Sequence, residues 1–113
     1  MTIAYNREYV TATIANAGTT SDAIALLDRV IGGIITPAAL TGTTLTFTVC
    51  NTADGTYVAL YDSDNNQVSL TVTVSRAYGV TGPEADALAP WPFVKIVSGS
   101  AEGAARSLVV CLK

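Results

Sequence analysis

The chain contains no histidine. The commonest general base and metal ligand is therefore missing, and neither a Ser-His-Asp nor a Cys-His arrangement can be assembled from these residues. Cysteine is limited to Cys50 and Cys111, which without histidine do not make a zinc site. Each falls in a predicted strand, so two small buried thiols are expected, bonded to each other only if their strands are neighbours. Charge is scarce, at 13% of 113 residues, against about 25% in an ordinary soluble domain. A small domain has a large surface, so the exterior is either neutral and hydroxyl-rich or partly covered by other chains. The six basic residues are scattered and the net charge is −3, which argues against nucleic acid as a partner. Apolar runs break within about ten residues, short of the ~20 that span a bilayer, so no membrane segment is expected. Residues 1–8 have no basic region leading into an apolar block and do not read as a signal peptide. A chain that starts this way is expected to be made and used, or assembled, in the cytoplasm.

What is present is β-pattern. Leu45, Phe47 and Val49 alternate with Thr46, Thr48 and Cys50, the period of two of a half-buried strand. Asp54-Gly55 turns the chain. Residues 57–61 run back, residues 62–66 make a second polar turn, and Val68, Leu70, Val72 and Val74 alternate again. The stretch 45–74 thus predicts a three-strand meander. Further strands are predicted at 9–15, 76–80, 93–98 and 107–112. Residues 82–90 form a loop with one helical turn starting at Pro83. Residues 21–36 fit two patterns. Ile24, Leu27 and Ile31 recur at helical spacing behind a Ser21 or Asp22 cap. Strands at 23–26 and 30–36 around a Leu27-Asp28-Arg29 turn suit the β-branched residues and Gly32-Gly33. Eight or nine short strands predict one all-β domain over 9–113, an antiparallel sandwich or jelly roll, preceded by an N-terminal arm at 1–8.

Candidate chemistry is thin. No glycine-rich loop leads into a helix to cradle phosphate. The carboxylates sit mostly in turns, and a chain this short lacks a cleft-forming insertion, so no catalytic residues, no cofactor and no enzyme activity are expected. Asp62, Asp64 and Asn66 start like a calcium loop, but Gln67 stands where glycine is needed and Thr73 where the bidentate glutamate belongs, so no metal site is expected. Tyr57, Tyr61, Tyr78, Trp91 and Phe93 read as core or interface residues ahead of a sugar platform. Trp91, between Pro90 and Pro92, is a loop-borne candidate anchor. The arm contributes Tyr5, Arg7 and Tyr9, residue types enriched at interface hot spots.

Two resemblances rest on particular words. Leu45-Thr46-Phe47-Thr48-Val49, Asp54-Gly55-Thr56-Tyr57 and Phe93-Val94-Lys95-Ile96 resemble the discoidin or galactose-binding-like jelly roll. That likeness implies a ligand loop and often a calcium site, of which this chain carries no matching version. Over residues 11–112 the chain also resembles small virion structural proteins of tailed bacteriophages. The matching words include Ala12-Thr13-Ile14-Ala15-Asn16-Ala17-Gly18, Gly33-Ile34-Ile35-Thr36-Pro37, Leu60-Tyr61-Asp62 and Val94-Lys95-Ile96-Val97-Ser98-Gly99. This resemblance implies a capsid cement (decoration) protein, often a homotrimer, seated on the major capsid protein at the virion surface, with residues 21–36 as strands. The alternatives it leaves open are a carbohydrate-binding module on a tail or head fibre and another tail or connector component.

Overall fold

A computed structural model describes residues 7–113, so Tyr5 and the rest of residues 1–6 lie outside the described part. Nine strands and one helix follow in the order β1 Glu8–Ile14, β2 Ile24–Ala25, β3 Ile31–Ile35, β4 Thr44–Cys50, β5 Val58–Ala59, β6 Ser69–Thr71, β7 Ala77–Gly79, α1 Gly82–Leu88, β8 Phe93–Ser98 and β9 Arg106–Leu112. They form two sheets, ordered β1-β9-β3-β7 and β2-β8-β4-β5, with β6 also on β4. Every pairing is antiparallel. With β5 and β6 counted as one interrupted strand, the chain wraps back and forth between the sheets in the double Greek-key order of a jelly roll.

The period-two pattern fixes which side chains point inward. Leu45, Phe47 and Val49 of β4 meet Val94 and Ile96 of β8 in one sheet, and Ala12, Ile14, Ile34, Leu108, Val110 and Leu112 of the other, in one buried core. Residues 21–36 are strands, joined by a turn in which Leu27 takes a left-handed φ of 56° while remaining 70% exposed. The helical turn expected at Pro83 extends to the seven residues of α1, which buries Leu88.

Two expectations are corrected. The 45–74 stretch is not a side-by-side meander. One edge of β4 is taken by β8, so β5 and β6 share the other in tandem, β5 opposite Thr48 and Val49 and β6 opposite Thr44, Leu45 and Thr46. The intervening chain leaves the sheet as a small hairpin, with Val68 N–H donating to Leu60 O and Asp62 N–H to Asn66 O. The cysteines differ as well. Cys50 is buried, but Cys111 is only half-buried, because the parity that sends Val110 and Leu112 inward sends Cys111 outward. Both are free thiols, in different sheets.

One end of the sandwich is tied by a residue that sequence reading passed over. Glu102 is 1% exposed, in the 99–105 loop. Its Oε1 accepts from Thr41 N–H at 2.7 Å and Arg106 Nε at 3.0 Å, and its Oε2 from Ser98 Oγ at 2.8 Å and Gly42 N–H at 3.1 Å. Its backbone exchanges hydrogen bonds with Ala17 and Gly18. Three connections, β1–β2, β3–β4 and β8–β9, therefore meet on one residue, the first through its backbone and the second through its carboxylate. Burial alone would push this carboxyl up. The Thr41 N–H, the Ser98 hydroxyl, the Gly42 N–H and the Arg106 guanidinium outweigh that and hold it at about 2, below its ordinary 4.5.

Candidate interaction surfaces

The outer face of the β1-β9-β3-β7 sheet is built by the same alternation that builds the core. Its register places Tyr9, Cys111, Gly33 and Gly79 in one row, and Thr11, Val109, Ile35 and Ala77 in the next. Thr13 and Ser107 begin a third row, their hydroxyls 3.3 Å apart. None of these ten positions carries a charge. Tyr9 is 62% and Ile35 44% exposed. Gly33 and Gly79 leave a depression of about 280 Å³ between Tyr9, Ile35 and Tyr78, with Arg7 at its rim. At Gly33 a Cβ would stand 3.1 Å from Tyr78 O, a tight approach to backbone. Glu8, on the opposite parity of β1, turns to Arg29 at 3.8 Å.

Strand spacing of about 4.8 Å and a two-residue repeat of about 6.8 Å give this face roughly 300–400 Å². That is the size of the largest patches on ordinary monomers, and below the ~800 Å² per partner of a standard interface. A single contact through it would be weak, and many in register would be strong.

The second surface is a groove of about 450 Å³ between the 61–66 turn and α1. Trp91 and Tyr61 line it, together with Asp62, Ser63 and Asp64 from the turn and Pro83, Asp86, Ala87 and Pro90 from the helix segment. Asp62 Oδ1 accepts from Asp64 N–H and Asn66 N–H, both at 2.9 Å, and Asn65 takes a left-handed φ of 62°. The Asp-Asn sequence thus supplies its own turn, as expected of these residue types. Among the described residues no group of three or more carboxylates or cysteines is placed to hold a metal ion.

Of the predicted interface residues, Arg7 and Tyr9 come together beside the sheet face. Trp91 lies in the groove, half-buried against the core, and the two sites share no lining residue. Of the other aromatics singled out, Tyr78 packs against the core and Tyr61 lines the groove. Tyr78 OH accepts from Thr73 N–H at 2.7 Å, Tyr57 OH donates to Ala53 O at 3.0 Å, and Lys95 Nζ sits 4.3 Å from the Tyr57 ring centroid. Sequence reading missed the neutral face because it is shared by four strands distant along the chain. The signal for Glu102 was present: one acid in a run of small residues, four positions before Arg106.

No protein-family model and no curated protein matches the chain. Among solved structures, the crystal structure of SPBc2 prophage-derived protein YomS matches with a TM-score of 0.54 and 12% sequence identity, over 100% of this chain and 100% of that chain. The chain is similar to that protein in fold, from end to end.

Proposed function

We propose that this chain is a structural virion protein of a tailed phage: a capsid cement protein that binds the outer face of the major capsid lattice, as a homotrimer, and stabilises the head. The observation that carries this is the uncharged outer face of the β1-β9-β3-β7 sheet, ten outward positions with no charge among them. Such a face loses no ion hydration when covered, and its hydroxyls and small side chains permit close approach to another flat surface. Its area is too small for a tight solitary complex, which suits a protein present in many copies on a lattice. The end-to-end fold likeness to a prophage-derived protein supports the phage setting.

Light scattering on the purified protein and co-sedimentation with heads assembled from the same phage's major capsid protein test the proposal. The double variant Thr11→Glu/Ile35→Lys places charge in the middle of the face at exposed positions. It should keep the fold and lose the heads. Undiminished co-sedimentation of that variant, or no binding by the wild-type chain, would overturn the assignment.

A further inference from the structure

The groove between the 61–66 turn and α1 is lined by two aromatic rings and three carboxylates, with no cationic side chain among its lining residues. Trp91 and Tyr61 supply the rings, and Asp62, Asp64 and Asp86 the carboxylates. The adjoining depression, which shares Asp62 and Pro83, adds Glu84. Four of the chain's nine acidic residues therefore border one channel, and no lysine or arginine lines it. Among the described residues none of the four is in an ion pair.

A carboxylate accepts hydrogen bonds and donates none. The carboxylates are not grouped to hold a metal ion. A guanidinium meets every term: it only donates, it is planar, it stacks on aromatic faces, and its charge complements the channel. We infer that the groove seats an arginine side chain of a partner polypeptide, the guanidinium lying against Trp91 and Tyr61 and donating to Asp64 and Asp86. The walls are set in advance, by Pro83 and Pro90 on one side and by the Asp62 turn on the other. The groove shares no residue with the neutral sheet face, so it stands or falls separately from the capsid proposal.

Trp91 is the only tryptophan, so its fluorescence reports on this groove alone. The full chain is titrated at constant ionic strength with N-acetylarginine amide and with its uncharged isostere, N-acetylcitrulline amide. The expected result is a saturable shift with the arginine probe, with a midpoint on the order of 10 mM, and none with citrulline. Asp64→Asn/Asp86→Asn changes two exposed side chains, should leave the thermal transition in place, and should weaken the arginine probe about tenfold. No saturable shift, equal responses to both probes, or full affinity in the double variant would each overturn the inference. A response to galactose or N-acetylglucosamine in place of arginine would reassign the groove to glycans.

Discussion

Replacing Glu102 by glutamine is expected to remove most of one pH-dependent part of the stability. The carboxyl titrates at about 2 in the fold against 4.5 ordinarily, a difference worth about 3 kcal/mol. Because the folded value is the lower one, this contribution is fully present above pH 4.5 and is lost as the pH falls towards 2. Glutamine also turns an amide NH₂ toward donors, since each carboxylate oxygen now receives two hydrogen bonds. The isosteric Glu102→Gln variant should therefore be about 3 kcal/mol less stable at pH 7, a sizeable share of the 5–15 kcal/mol typical of a domain. Urea denaturation at intervals from pH 7 to pH 2.5 measures it. The wild-type midpoint should exceed the variant's by about 2 M at pH 7, and the two should converge at the acid end. Parallel curves across the whole range would refute the account of Glu102 as an ionised anchor. The difference between the two chains isolates this group from the other carboxylates, which both share.

Three further outcomes follow from single positions. Thr48 Oγ1 is buried with no hydrogen-bond partner among the described residues, so Thr48→Val, which keeps the β-branched shape, should raise the thermal midpoint by a few degrees, about 1 kcal/mol, in calorimetry. Phe47 is 1% exposed at the centre of β4, and Phe47→Ala should cost roughly 3–5 kcal/mol in denaturant titration, enough to leave a marginal domain partly unfolded at 37 °C. Leu27 holds a left-handed φ while 70% exposed, so Leu27→Asn should stabilise the chain by about 0.5–1 kcal/mol at little loss of burial; a destabilised variant would show that its side chain contributes contacts that its exposure does not reveal.

The sequence was most legible where one strand buries one face. Alternation marked β1, β4, β8 and β9 nearly to the residue, because each runs six or seven residues whose buried side chains, Cys50 aside, fall on a single parity. It overextended the strands at 57–61 and 68–74, where pattern persists but the free edge of β4 has room for only five paired residues. At 21–36 helical and strand periods coincide over so few residues that local pattern could not separate them, and long-range pairing of β3 with both β9 and β7 decided it. The candidate surfaces divided in the same way. Arg7, Tyr9 and Trp91 were visible as residue types, yet their assignment to two separate sites depends on which strands lie side by side.

Composition and periodicity alone determined that the chain is all-β with few charges, a core of alternating aliphatic side chains and no histidine-based chemistry. Those properties are local, set by which residues follow one another at intervals of two. Only the tertiary structure decided that the uncharged outward positions of β1, β9, β3 and β7 join into one face, that Glu102 is the buried tie of three loops, and that Asp86 faces the same groove as Asp62 and Asp64. Each of these juxtaposes residues from distant parts of the chain. Their proximity follows from a Greek-key wrap that closes around the whole core, and the charge and shape of a surface are properties of neighbours in space.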